Sequence, residues 1–329
     1  MKDRFYDNTR VSSFRGCPRS FLYRHVMHWT PEHKSYALTF GSGWHEGMDV
    51  IWRELAKDPK VDAVDLAKEA VKAFMVIWKE DGHPSMDEMS FGDDQPWGFR
   101  SPMTALEMFI NYIDERRSFI TADNFELVDI ERPFAVPLDP DDPTLFYVGR
   151  LDKSFKRMGK YYLGEHKTTT AYKKDGPFMY AFIESFSPNS QVDGYSFAAR
   201  MIYGEKFKGV MIDAALVHKT IHDEFRFIPV ERQFSQLDAW LWETHYHIAQ
   251  IEANMAAVEA TEPHDAYLAA FPKNTTTCAN YGGCVYRDLC KMWANPIGKD
   301  CPNGFKVEKW SPFEELELVS LGLEKPDER

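Results

Sequence analysis

The spacing of apolar and polar positions changes part-way along the chain. Residues 40–56, 61–81 and 101–119 repeat apolar side chains every three or four positions, as helices do, with a polar, Gly/Pro-containing insertion at 82–100. From residue 125 the pattern turns to β-branched and aromatic runs: FELVDIERPFAVPL, TLFYVGRLDKSFK and KYYLGEHKTT, the last two joined by the turn RMGK. These three predict an antiparallel meander. SQVDGYSFAARMIYG then reads as a helix ending at a glycine, KGVMIDAALVHK and EFRFIPVER as two more strands, and 234–261 as a long helix. Strands enclosed by helices predict a mixed α/β fold with a helical first third and a loop-rich segment at 262–311.

Composition narrows the class. A chain of 329 residues, 44% of them hydrophobic, can bury one large core or two modest ones. No run approaches the roughly 18 to 20 apolar residues of a membrane span, and the start MKDRFYDNTRVSSFRGC lacks the apolar centre of a signal peptide, so a cytoplasmic protein without membrane contact is expected. There is no GxxxxGK[ST] phosphate loop, so any unwinding must come from a partner. The net charge of −12 argues against non-specific coating of nucleic acid. Two regions nevertheless run basic: 147–177 has eight Lys/Arg against three Asp/Glu, and 1–40 has seven against three. The excess acid sits at 86–94, at 138–142 and in the tail, and reads as solvated loops and a loose terminus.

The basic stretch GRLDKSFKRMGKYYLGEHK holds the candidate chemistry. Asp152 ends one strand, and Glu165 and Lys167 share a face of the next. Two carboxylates and the backbone carbonyl of His166 suit a hard cation such as Mg²⁺. A neighbouring ammonium can orient water or stabilise developing phosphoryl charge, which is equipment for phosphodiester hydrolysis. Taken alone, an ExK after an Asp is equally an exposed hairpin face, and Lys156 in the turn is either a solvated tip or a phosphate contact. His45 follows a glycine-rich helix entry, and Gln191 and Tyr195 lie four apart on one helical face. Glu46 and Glu131 could support a second metal, although glutamates on helix surfaces and edge strands are usually solvated.

Cys278, Cys284 and Cys290 crowd together in CANYGGCVYRDLC, with Cys17 near the other end. Four thiolates serve Zn²⁺ or a [4Fe-4S] cluster, and spacing does not choose between them. Cys301 is a spare that could substitute. Around Cys17, Arg15, Arg19 and Arg24 could contact DNA phosphates, and Phe14, Phe21 and Tyr23 either stack bases or pack helices.

Gly41 and His45 as GxxxH, Asp152 of GRLD, Glu165 and Lys167 as ExK, and Gln191 and Tyr195 as QxxxY follow in one order over about 150 residues. In these motifs the chain resembles the RecB-like branch of the PD-(D/E)XK nucleases. The resemblance implies a restriction-endonuclease-like core, a mixed β-sheet flanked by helices. It implies that His45 joins Asp152, Glu165 and the His166 carbonyl in holding Mg²⁺ or Mn²⁺, that Lys167 acts on the attacking water, and that Gln191 and Tyr195 position the lysine or the phosphate. The implied activity is exonucleolytic, on single-stranded or end-containing DNA. The cysteines resemble those of the iron-sulfur, AddB-like members and the CRISPR-adaptation nucleases, which implies a structural [4Fe-4S] cluster on Cys17, Cys278, Cys284 and Cys290. The first gap here is five residues where two is more usual in those relatives. A linear division follows: a helical part at 1–120 carrying Cys17 and His45, a nuclease core at 121–262, an iron-sulfur segment at 263–311 and an acidic tail at 312–329. Expected partners are DNA and a helicase, recombination or CRISPR-adaptation protein. The competing expectation is a non-catalytic iron-sulfur module that grips DNA or a helicase.

Overall fold

The computed structural model describes residues 4–88, 97–172, 176–280 and 283–309. Most of the acidic run at 86–94 and all of the tail at 312–329 lie outside the described residues. In chain order the first half comprises β1 (Arg4–Tyr6), α1 (Asn8–Gly16), α2 (Pro18–Phe21), β2 (Trp29–Pro31), α3 (Tyr36–Lys57), α4 (Ala63–Glu80), α5 (Pro102–Ile120), β3 (Phe125–Asp139) and β4 (Asp142–Arg157). There follow β5 (Lys160–Thr169), α6 (Tyr180–Glu184), α7 (Ser190–Tyr203), β6 (Phe207–Leu216), β7 (Phe225–Val230), α8 (Phe234–Glu259), α9 (Arg287–Met292) and β8 (Phe305–Val307).

Two compact units divide the chain. One holds His33–Arg132 and Arg150–Gln233; the other holds the segment up to Glu32, Pro133–Gly149, and everything from Phe234. Each unit is grouped by core contacts rather than chain order, so the units differ from the linear division at 120 and 262, and Cys17 and His45 fall in different ones.

In the unit with His45, β4 runs antiparallel to β5 from Lys153↔Gly164 to Arg157↔Lys160, β5 runs parallel to β6, and β6 runs antiparallel to β7. The parallel step requires a crossover between β5 and β6, which α6 and α7 supply. β3 pairs with β4. Helix α3 is capped by Ser35, whose side chain accepts from the Leu38 N–H, and it runs through GSGWHEG, starting four residues before the apolar period at 40–56. Two of its glycines answer to packing: a Cβ at Gly43 would lie 2.7 Å from the Phe74 ring, and one at Gly47 only 2.2 Å from the Phe109 ring. Trp44 stacks on Phe109 at 4.7 Å, and Trp52, Phe74, Tyr112 and Phe155 complete a core between these helices and the sheet. His45, next to Trp44 in that helix, is thereby held in a fixed orientation.

In the other unit β1 pairs parallel with β4 from Arg4↔Leu145 to Tyr6↔Tyr147, and β2 pairs antiparallel with β8. Arg4 bridges Asp142 and Glu252. Tyr23 stacks between Trp29 and Tyr286, and Phe21 stacks on Phe271, so the first and last described segments share one apolar cluster. No described helix is long and apolar enough to cross a membrane.

Candidate active site

Strand β4 delivers Asp152, β5 delivers Glu165, His166 and Lys167, and α3 delivers His45. His45 Nδ1 stands 3.1 Å from Asp152 Oδ2, and the same oxygen accepts the His166 backbone N–H at 3.3 Å. Lys167 Nζ donates to Glu165 Oε1. On α7, Gln191 Nε2 donates to the Tyr195 hydroxyl at 3.3 Å, one turn away. Glu131 comes from β3 at a backbone φ of +54°, a left-handed conformation uncommon for a glutamate and found where surrounding structure enforces it. One donor atom each from His45, Glu131 and Asp152 lies within 4.8 Å of the other two. Glu46 is exposed and stands outside that group.

The charges explain what the cluster lacks. Burial pushes the Glu165 carboxyl up to about 7, with the Asp152 charge adding and Lys167 opposing. Burial likewise pushes Glu131 up to about 7, helped by Asp152 and Asp49. At Asp152 burial is outweighed by His45, Lys153 and Lys167, which hold the carboxyl below the usual range. Burial also opposes charge on His45 and Lys167, but the carboxylates beside them win and both are raised. Glu165 is only 2% exposed, and its second oxygen is buried without a hydrogen-bond partner among the described residues. Such an atom is costly unless a cation or donor meets it. A carboxylate-rich set with one imidazole, short of positive charge, fits Mg²⁺ or Mn²⁺.

A sequence profile described as the PD-(D/E)XK nuclease superfamily matches residues 8–291. The chain belongs to that superfamily. Its mixed sheet flanked by helices is a PD-(D/E)XK nuclease fold. Among solved structures it is similar to a chain from Eubacterium rectale described as "Putative exonuclease", with 12% identity, 75% of this chain and 79% of that chain covered, and a TM-score of 0.47. No curated protein matches it.

Behind the nuclease motif lies a second layer of buried charge that sequence reasoning missed. Lys153 is 0% exposed, and its Nζ stands 2.7 Å from Asp49 Oδ1. Asp49 is one helical turn beyond His45, and Lys153 directly follows Asp152, so the pair links the two elements that carry metal-ligand candidates. Tyr112 donates to Asp213 and accepts from Trp52 Nε1 at 2.8 Å, while Arg116 closes on Asp213 at 3.1 Å. Asp213 is the β6 partner of His166, whose ring is fully buried and, through that burial, kept neutral. The only hint was adjacency to Asp152 and His45; in LDKSF a lysine ordinarily reads as solvated.

The cysteines sit in the other unit. Cys17 caps the junction of α1 and α2, and its sulfur accepts the Asn274 N–H at 3.4 Å, while Asn274 Nδ2 donates to the Gly16 carbonyl at 2.9 Å. The Cys284 N–H donates to the Cys278 carbonyl at 3.0 Å. Burial pushes the Cys284 thiol up, with Cys17 and Cys278 adding, and pushes Cys290 up, with Cys17 adding. The four thiols are therefore electrostatic neighbours. Among the described residues no three of their sulfurs gather within 4.8 Å, whereas zinc at about 2.3 Å from each would bring them to about 3.8 Å. Cys301 has Glu32 as its charged neighbour.

Of the arginines expected to contact DNA, Arg19 needs correction. It is 3% exposed and spends its guanidinium on the carbonyls of Phe271, at 2.9 Å, and Ala294, at 3.4 Å, because those carbonyls face the core that Phe21 enters. Phe14, Phe21 and Tyr23 are buried packing residues. Arg24 lies beside Tyr286, Arg15 is exposed, and Lys156 pairs with Glu126 at 3.3 Å in the His45 unit.

Proposed function

We propose that the chain is a Mg²⁺- or Mn²⁺-dependent exodeoxyribonuclease that works on single-stranded or end-containing DNA. The observation that carries this reading is the meeting of His45, Asp152 and Glu131 donor atoms beside the unpartnered Glu165 oxygen and the Lys167 ammonium. His45, Asp152, Glu165 and the His166 carbonyl would hold the cation, with Glu131 in support. When bound, the cation supplies a Lewis acid for the phosphodiester. Glu165 holds the Lys167 ammonium where it can meet a phosphoryl oxygen that gains charge or orient the attacking water. The Gln191–Tyr195 pair positions the lysine or the phosphate. Water adds to phosphorus, the bond to the 3′ oxygen breaks, and that oxygen takes up a proton. Exonucleolytic action rests on the resemblance of the motifs. A helicase, recombination or CRISPR-adaptation partner would deliver the strand.

A structural [4Fe-4S] cluster on Cys17, Cys278, Cys284 and Cys290 belongs to the same proposal. It is supported by the mutual neighbourhood of these thiols, since burial raises Cys284 with Cys17 and Cys278 adding, and raises Cys290 with Cys17 adding, and by a spacing, among the described residues, wider than a zinc tetrahedron, as for ligands to separate irons of one cluster. Anaerobic purification tests it: a brown protein with equal iron and sulfide is expected, and colourless protein with stoichiometric zinc refutes it.

For the activity, end-labelled linear DNA and closed single-stranded circles are incubated with Mg²⁺ or Mn²⁺. Wild type should shorten the linear strands and spare the circles, while Lys167→Ala and Asp152→Ala should lose at least 100-fold, in line with about 10²–10³ for one electrostatic stabiliser. Equal degradation by all three proteins, or none by wild type with either metal, overturns the assignment.

A further inference from the structure

Beyond Lys167, strand β5 ends at Thr169, and at Thr170 just after it a second group of residues collects. Arg100 is half-buried; it donates to Thr170 Oγ1 at 3.2 Å and lies over the Phe99 ring at 5.8 Å. Among the described residues no carboxylate pairs with it, although the same unit matches Arg116, Arg150 and Arg232 to carboxylates. In a chain of net charge −12 an unmatched guanidinium beside the catalytic strand points to an anion from outside. Tyr172, two residues further, is 39% exposed and leans at a tilt against the His218 ring at 4.9 Å, which in turn lies 6.4 Å from Phe99. His218 Nδ1 accepts the Thr220 N–H at 3.2 Å, which fixes the ring beside Tyr172. Gly41 lies one turn before His45 and against Thr168, which falls between Lys167 and Thr170 in the chain. A Cβ there would meet nothing within 4 Å except Thr168 Oγ1 at 3.9 Å, so packing does not demand this glycine as it demands Gly43 and Gly47.

We propose that Arg100, Thr170, Tyr172 and His218 form a strand-holding subsite beside the catalytic centre, where Arg100 binds a phosphate near the scissile one and Tyr172 stacks an unpaired nucleobase. Thr170 lies three positions past Lys167, about 10 Å at extended spacing, so the subsite reaches the adjoining nucleotides of the same strand. A tyrosine face accepts any base, so the subsite tolerates sequence. It requires the base to be unstacked, so it selects single strands and frayed ends over closed duplex. The inference rests on the nuclease reading and adds the part of the site that would give it strand preference.

The test is fluorescence anisotropy of a labelled 12-nucleotide oligothymidylate with the full chain in Ca²⁺, set against a hairpin duplex closed at both ends. Tyr172→Ala should weaken single-strand binding roughly 5- to 150-fold, the range for loss of one stacked base, and change duplex binding less than about 2-fold. Tyr172→Phe should restore it. Arg100→Gln should weaken single-strand binding and flatten the plot of log affinity against log salt by about 0.7, one phosphate contact. Equal single-strand affinity for wild type and Tyr172→Ala, equal losses on strand and duplex, or no binding by wild type overturns the subsite. Tyr172 is exposed, so its variants remain informative even if Arg100→Gln fails to fold by its melting curve. Failure of the nuclease reading shows separately, as absence of Mg²⁺- or Mn²⁺-dependent cleavage by a protein that still binds single strands through Tyr172.

Discussion

Replacing Lys153 with methionine should destabilise the protein far more than any surface lysine would. The side chain has no solvent exposure, and its ammonium is 2.7 Å from an Asp49 carboxylate that is itself buried. Methionine preserves most of the volume, so the loss is chiefly electrostatic. Asp49 would be left as an unmatched buried charge beside Glu46 and Glu131, whose carboxyls are raised by burial and, in each case, by Asp49. Removing one partner of a buried pair costs about 3–5 kcal/mol. For a unit of this size each kcal/mol moves Tm by about 2–4 °C, so a fall of roughly 6–20 °C is expected by calorimetry in EDTA. Removing both charges, as Asp49→Leu with Lys153→Met, should recover most of the loss, because two apolar groups of similar volume can match a buried pair. A Lys153→Met protein within about 1 kcal/mol of wild type, or a double variant no more stable than the single one, would refute the reasoning.

Other consequences can be measured on the same protein. Glu131 and Glu165 are raised from 4.5 to about 7, so in that window the folded metal-free chain binds more protons than the unfolded one; its stability should rise as pH falls from about 7 towards 4.5, and saturating Mg²⁺ should remove that slope in calorimetric titrations. By the same linkage, Mn²⁺ affinity by isothermal titration should increase with pH up to about 7, with protons released on binding, and a flat profile would contradict the assigned ligands. Gly47→Ala should lower stability by about 1–3 kcal/mol by driving a Cβ into the Phe109 ring, whereas Gly41→Ala should leave the melting temperature unchanged or higher. Cys290→Ser should lower the iron content and the melting temperature of the anaerobic protein together; unchanged iron would remove Cys290 from the ligand set.

Much of this was legible in the sequence because it is local. The three early helices lie within four residues of their apolar periods at every boundary, and the run KYYLGEHKTT is β5 residue for residue. GRLD and GEHK lie on paired strands of one sheet, so side-chain alternation and a short turn suffice to bring Asp152 near Glu165. Gln191 and Tyr195 bond across one turn of a helix whose phase is visible in its apolar residues. Other features have no local signal. That β5 and β6 run parallel depends on a crossover through α6 and α7, and that Gly43 and Gly47 must be glycines depends on the Phe74 and Phe109 rings packed against them.

The chain by itself determined the longer helices and strands, the mixed α/β class and the residue types of the nuclease motif, since these follow from backbone periodicity and side-chain chemistry over short distances. Only the tertiary structure decided which charges are withdrawn from water. It turned Glu131 inward through a left-handed kink, buried Lys153 against Asp49, consumed Arg19 on core carbonyls and left Arg100, among the described residues, without a carboxylate. The physical reason is that the energy of a charge depends on burial and on neighbours far away in sequence. A lysine or glutamate has the same letters whether it faces solvent or a buried counter-charge.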